Sequence, residues 1–346
     1  MKRILIIRTS AIGDVVFASP LAAALRRSHP DAWIAWLVEP GIAPLIAHDD
    51  CIDEVIPWPK GEWKALWRDG RRLELWRRVR AFRAMLRERR FDTALDLQGL
   101  LKSGLLAWMS GARRRVGLGS KEGSGWLMTE VLARGGDHAR ISSEYLFLAQ
   151  HLGLDCADFL PRLTVAADAD ARALDLLAAN RLIPGRYVAF APFTTRPQKH
   201  WFEDAWQTLA MRMADEQGLT PVLLGGPDDR EAAARIAAAD VRIVNFAGST
   251  RLPEAAALIR HAALLVGVDT GLTHIGIALA RPTVAIFGST CPYSVTGRAN
   301  AKVIWLGKSC SPCRRHPTCG GSFHCLRDIT PQHVIDVALP LTGLPA

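Results

Sequence analysis

Short apolar runs rich in valine, isoleucine and leucine alternate along this chain with longer segments whose apolar residues return every three or four positions. Runs at residues 2–8, 32–38 and 93–97 predict buried strands, and the segment 15–27 predicts a helix. The same rhythm restarts beyond Pro184. There it predicts strands at 187–192, 221–224, 241–246, 264–268 and 283–287, and helices at 201–217, 230–239 and 253–261. Alternation of this kind predicts parallel sheets with crossover helices, an α/β fold made of two Rossmann-like halves. The break falls around residues 166–185, so domains of 1–175 and 176–346 are expected.

In open α/β sheets ligands bind beyond the carboxyl ends of the strands. Four loops in those positions carry candidate chemistry. The first, Thr9-Ser10-Ala11-Ile12-Gly13-Asp14, joins the first strand to the first helix. Asp14 reads either as a helix cap, favoured there by the helix dipole, or as a catalytic carboxylate. The spacing is not the three-glycine dinucleotide fingerprint, which argues against a nicotinamide cofactor. The second loop, residues 193–201, holds Thr194, Thr195 and Lys199 before a helix start and suits a phosphate. The third, residues 225–229, places Asp229 after two glycines, either as a cap or as a partner for ribose hydroxyls. In the fourth, Asp269-Thr270-Gly271-Leu272-Thr273-His274, an apolar strand ends and a helix begins. The amides of Thr270 and Gly271 are expected to face an anion, and His274 reads as a phosphate contact or as a buried, hydrogen-bonded ring. The triplet Asp-Thr-Gly also marks aspartic proteases, but those are all-β folds.

Composition narrows the class. Of 346 residues, 49% are hydrophobic and 22% charged, as in an ordinary globular chain, and the formal net charge of +9 favours anionic partners. The opening Met1-Lys2-Arg3 and its short apolar run predict no signal peptide, and no run approaches the ~20 apolar residues of a membrane span. A cytoplasmic location with reduced thiols is therefore expected.

Taken in order, the Thr9–Asp14 loop, Asp96-Leu97-Gln98-Gly99-Leu100-Leu101-Lys102-Ser103, Thr194-Thr195 with Lys199-His200-Trp201, and Asp269–His274 resemble the ADP-heptose:lipopolysaccharide heptosyltransferases of glycosyltransferase family 9. The resemblance spans essentially the whole chain, and its N-terminal half looks closest to the type that adds the first heptose to Kdo. It implies a GT-B fold, two Rossmann-like domains facing across a cleft. It further implies an ADP-heptose donor, a Kdo-lipid A type acceptor, inversion at the anomeric carbon and no cofactor or metal for catalysis. By the same resemblance Asp14 matches the general base. Thr194, Thr195, Lys199, Asp229, Asp269, Thr270, Gly271 and His274 match the donor site, with Asp229 where the family often has Glu. Arg8, where Lys is frequent, joins Ser10, Gly13 and Gln98 on the acceptor side.

Residues 60–90 carry many arginines with Trp63, Trp67 and Trp76 interleaved. This segment reads as a solvated helix or as a surface for phosphorylated lipid A and the anionic inner membrane. Lys60, Lys64 and Arg68, with Lys102 and Lys121, are the acceptor candidates there. No nucleic-acid module is present, so nucleic acid is not an expected partner. Cys310, Cys313, Cys319 and Cys325 are spaced C-x₂-C-x₅-C-x₅-C, as in a structural zinc or iron site, although reduced thiols or disulfides fit the spacing too. Cys51, Cys156 and Cys291 read as packing residues. Competing functions are a family 9 transferase acting on a protein or another polysaccharide, and a nucleotide-sugar epimerase of GT-B type.

Overall fold

The computed structural model describes residues 1–313 and 316–343. The chain divides into two compact units, Met1–Asp137 with Ser142–Pro161, and His138–Ile141 with Arg162–Ala346.

The first unit runs β1 Arg3–Ile7, α1 Ile12–Ser28, β2 Trp33–Val38, α2 Ala43–Ile46, β3 Glu54–Pro57, α3 Lys60–Arg68, α4 Arg72–Glu88, β4 Thr93–Asp96, α5 Leu101–Met109, β5 Arg114–Leu118, β6 Glu130–Leu132 and α6 Ser143–His151. Its strands form one parallel sheet in the order β3-β2-β1-β4-β5-β6. The second unit runs α7 Ala167–Ala179, β7 Tyr187–Ala191, α8 Glu203–Gln217, β8 Thr220–Leu223, α9 Arg230–Ala237, β9 Val244–Asn245, α10 Leu252–His261, β10 Leu264–Val268, α11 Gly271–Ala278, β11 Thr283–Ile286, β12 Ala301–Ile304, α12 His324–Arg327 and α13 Pro331–Thr342. Its sheet, also parallel, has the order β12-β11-β10-β7-β8-β9. Two doubly wound sheets of this kind make an α/β, GT-B-like fold.

The central strands are covered on both faces, which is why they read as continuous apolar runs rather than as alternating ones. Ile4, Leu5, Ile6 and Ile7 are fully buried, as are Leu264 to Val268 to within 1%. In the first unit Leu5, Ile7, Leu37 and Ala94 pack against Phe82 and Leu86 of α4 and Leu106 of α5. In the second, Phe190 and Val266 pack against Trp206 and Leu209 of α8 and Val334 of α13. Trp206 lies between Trp201 and Phe190, with ring centroids at 5.0 and 5.2 Å. Burial of a side chain that size stabilises by roughly 3 kcal/mol.

One expected strand is shortened. Residues 241–246 yield only Val244–Asn245. Val241 is fully exposed, and Arg242 turns back to Asp240 and Asp215, the latter at 2.7 Å, so a charged turn takes the first half of that segment.

Each sheet reverses its strand order once, between β1 and β4 and between β7 and β10. Register places Ile7 opposite Asp96, and Gly267 opposite Ala191. The loops leaving those strands therefore start side by side at the crevice of each switch point.

Candidate active-site loops

In the first unit the loop after β1 is pinned to the loop after β4. Thr9 donates through N and Oγ1 to Gln98 Oε1, at 3.2 and 2.6 Å. Gln98 is held by Asp96, a fully buried carboxylate whose Oδ1 accepts the amides of Gln98 (3.0 Å) and Gly99 (3.1 Å) while Oδ2 accepts Ser103 Oγ at 3.0 Å. Burial raises the Asp96 pKa, and those donors only partly offset it. Gly99 is required here. Its φ is +67°, and a Cβ would stand 2.5 Å from the Leu118 carbonyl oxygen.

This frame holds one ion pair at the crevice. Arg8 Nη2 meets Asp14 Oδ2 at 2.6 Å, and Arg8 Nη1 donates to the Leu97 carbonyl at 3.1 Å. Burial works against the guanidinium charge, but neighbouring anions including Asp14 and Glu144 outweigh it and raise its pKa. The Asp14 carboxylate also accepts the Ala11 amide at 3.1 Å, so it caps α1 as well. The Arg8 side chain is 8% exposed and that of Asp14 is 40% exposed. The arginine is thus part of the floor, and the carboxylate is the group a substrate can reach. Ser10 and Gly13 flank it, both half-buried.

The other acceptor-side candidates lie elsewhere in this unit. Lys60, Lys64 and Arg68 recur every four residues along α3 and so share one face. Lys60 pairs with Glu39 at 2.6 Å, Arg68 with Asp69 at 3.2 Å, and Lys64 is exposed. Lys102 stands in the first turn of α5, and Lys121 is exposed while its amide donates to the Gly99 carbonyl at 2.7 Å.

In the second unit three loops meet around Asp269. Lys199, at the end of the short turn Pro197–Lys199, reaches Asp269 Oδ2 at 2.5 Å. Thr290, from the loop after β11, donates to the same oxygen. His274 Nε2 lies 3.3 Å from Oδ1, and its Nδ1 lies 2.7 Å from the Tyr293 hydroxyl. An ionised carboxylate only accepts, so Nε2 is the donor, and in the neutral ring Nδ1 accepts from Tyr293. Burial acts to raise the Asp269 pKa, but the hydrogen bond from His274 and the charge of Lys199 win and hold it below the usual carboxylate range. Burial pushes Tyr293 well above its ordinary value, so it stays a neutral donor. Both ring nitrogens of His274 are used inside the protein, which makes it a support for Asp269.

The Thr270 amide is spent as well, donating to the Val268 carbonyl at 2.8 Å. The amides presented by the α11 N-terminus therefore begin at Gly271. The helix sits tight on its strand because Gly267 has no side chain. A Cβ there would stand 2.2 Å from Thr273 Oγ1, which instead donates to the Val268 carbonyl at 2.6 Å. Thr194 and Thr195 belong to the loop carrying Lys199, closed by His200 Nε2 on the Thr194 carbonyl at 2.7 Å. Asp229 accepts the Gly226 amide at 2.7 Å, so it shapes the glycine turn after β8.

Thr290, Tyr293 and the buried Ser289, whose hydroxyl has no partner among the described residues, escaped the sequence reading. The available signal was position alone: they follow an apolar strand at its carboxyl end. The cysteine loop braces this segment. Ser311 donates to the Gly288 carbonyl, and Cys313 Sγ lies 3.9 Å from the Ser289 carbonyl oxygen. Cys325 lies near enough to Cys313, Cys310 and Cys319 for those thiols, after burial, to raise its pKa. Residues 314–315 of that loop lie outside the described residues. Among the described residues, no helix is long and apolar enough to cross a membrane.

Comparison with known proteins agrees with this architecture. The model of glycosyltransferase family 9 (heptosyltransferase) matches residues 79–323. The chain is 33% identical to lipopolysaccharide heptosyltransferase 1 of Pseudomonas aeruginosa over 90% of this chain and 86% of the relative. The solved structure of Escherichia coli ADP-heptose lps heptosyltransferase II superposes with a TM-score of 0.77 at 29% identity, covering 99% of each chain. An Escherichia coli heptosyltransferase with ADP-2-deoxy-2-fluoro heptose gives 0.72 at 26% identity, covering 96% of this chain and 98% of that one. A family match over most of the chain, together with two sheets whose switch points carry the expected loops, establishes that this chain belongs to glycosyltransferase family 9, the heptosyltransferases.

Proposed function

We propose that the protein transfers heptose from ADP-L-glycero-D-manno-heptose to Kdo or another inner-core sugar of a lipopolysaccharide acceptor, with inversion. Residues 1–175 bind the acceptor and residues 176–346 bind the donor. Asp14 removes the proton of the acceptor hydroxyl as its oxygen attacks the anomeric carbon. Arg8 orients that carboxylate. The C–O bond to ADP breaks as the new one forms, and negative charge grows on the departing diphosphate. Lys199, the Thr194 and Thr195 hydroxyls and the first-turn amides of α11 from Gly271 onward stabilise that charge, with no metal needed in the role. Asp269, fixed by His274 and Thr290, holds Lys199 in place. Asp229 shapes the turn nearest the nucleoside. The enzyme works in the cytoplasm against the inner membrane, where α3 meets the anionic acceptor.

The observation that carries this reading is the Lys199–Asp269 pair at the β7–β10 switch point, 2.5 Å long and mostly buried, on a chain with a 33% identical heptosyltransferase relative. The test is turnover with ADP-heptose, ADP-glucose and UDP-sugars on deep-rough lipopolysaccharide, with the anomeric configuration of the product read by NMR. Transfer from ADP-heptose alone, with inversion, is expected. Absence of transfer from ADP-heptose to any inner-core acceptor removes the reading.

A further inference from the structure

A cavity of about 700 Å³ opens in the first unit between α4 and α5. Its walls are apolar: Trp76 and Val79 of α4 face Leu105, Trp108 and Met109 of α5, with Trp58 and Trp63 at one end. Trp76, Leu105 and Trp108 are 56%, 42% and 41% exposed, a degree of apolar exposure that calls for a partner when it lines one groove. Three cations border the same groove, Arg80, Arg83 and Lys102. Arg80 lies 5.2 Å from the Trp76 ring centroid and Arg83 4.5 Å from that of Trp108, so the cations are laid along the aromatic walls. Among the described residues, no acidic side chain lines the cavity.

The cations call for an anionic group on the occupant. An apolar slot edged by cations, with no acidic side chain among its described lining residues, matches an acyl chain attached to an anionic head such as a phosphate. It does not match a free sugar, which has no apolar body, or a neutral hydrocarbon, which has no charge to meet the cations.

The slot also has a direction. Lys102 lies in the first turn of α5, just beyond the Asp96–Gly99 frame at the carboxyl edge of the sheet, and Trp108 and Met109 end that helix. Seven residues of helix span about 10 Å, the length of a run of eight or so methylenes.

We infer that this groove seats one acyl chain of the anionic glycolipid acceptor, the head at Lys102 and the tail between Trp76 and Trp108. The assignment rests on the proposed acceptor. It makes the enzyme select its substrate by lipid as well as by sugar. Two buried methylenes already correspond to about tenfold in affinity.

The test uses the whole enzyme, wild type and Leu105→Glu, with Leu105→Met as the conservative control and melting temperature confirming that all three fold. Leu105 is half-exposed, so the carboxylate enters the groove without entering the core. Transfer is measured to a fully acylated acceptor and to its lipid-free oligosaccharide. Separately, quenching of tryptophan fluorescence is titrated with a brominated-chain lysophosphatidic acid below its micelle concentration. Saturable quenching of wild type, lost in Leu105→Glu and kept in Leu105→Met, is expected. So is at least a tenfold rise in KM for the acylated acceptor in Leu105→Glu, with kinetics on the lipid-free sugar unchanged. Equal effects on both acceptors, or unaltered quenching in Leu105→Glu, overturns the groove assignment. If wild type transfers to neither acceptor the proposed function falls, and the quenching titration alone then decides the groove.

Discussion

Asp269→Asn tests the energetics of the donor-side loops in isolation from turnover. The substitution keeps the shape and removes the charge. Lys199, whose side chain is 16% exposed, is then left facing a neutral amide, and Thr290 and His274 lose an ionised acceptor. Breaking a buried pair by removing one partner costs about 3–5 kcal/mol. Lys199 keeps some access to water, so the lower end, about 3 kcal/mol, is expected. For a unit of this size each kcal/mol moves Tm by roughly 2–4 °C, which places the shift near 6–12 °C. The pH dependence has a definite sign. The folded pKa of Asp269 is depressed, so its contribution is complete above the unfolded carboxylate value, about 3.9, and is lost as pH falls through the lower folded value. The gap between wild type and variant should therefore stay constant from pH 8 to 5 and narrow only below about pH 4. Differential scanning calorimetry across that range measures it. A shift under 1 °C at pH 7, or a gap that widens as pH falls, refutes the reasoning.

Three further outcomes follow from the same geometry. Asp14→Ala should lower kcat by about 10²–10⁴, the span of general base catalysis, while ADP affinity by calorimetry stays within about twofold; near-normal turnover removes Asp14 from its role. Gly99→Ala should destabilise the first unit by about 2 kcal/mol, because a positive φ and a carbonyl oxygen 2.5 Å from the new Cβ both oppose it, and an unchanged thermal melt contradicts this. Tyr293→Phe should cost about 1–2 kcal/mol by leaving a buried imidazole nitrogen without its 2.7 Å partner, and should raise the donor KM more than it lowers kcat, since the Tyr293 hydroxyl acts through His274 and Asp269; a variant as stable as wild type argues against the chain of bonds.

Much of this was legible in the chain. The buried parallel strands announce themselves as apolar runs such as residues 4–7 and 264–268, because nothing polar survives between two helical layers. Lys199 and Asp269 were singled out by their places beyond the carboxyl ends of two strands, and the fold brings them together as an ion pair. Other features were hidden for identifiable reasons. Edge strands such as Val244–Asn245 are too short and too polar to show a period. Thr290 and Tyr293 are ordinary residues until the fold brings them to Asp269 and His274, which are 21 and 19 positions earlier in sequence. The Thr270 amide looked available for an anion, but the turn consumed it. The α4–α5 groove has no sequence signature at all, since tryptophans and arginines at helical spacing describe a solvated helix equally well.

The strand order carries a consequence for how the chain acquires its structure. In both sheets the first strand made is a central one, and its second partner is distant: Ile4 pairs with Thr93, and Val188 with Leu264. During synthesis β1 therefore has one open flank until some ninety residues have emerged, and β7 waits almost as long. Contacts of such long range are slow to close and leave apolar strand edges uncovered meanwhile. The short segment His138–Ile141 adds a third delay, since Arg140 bridges to Val295 in the last part of the chain. The same two crevices that gather these loops thus close only after a long stretch of chain, and a nascent chain stalled before residue 264 would leave one flank of β7 unpaired.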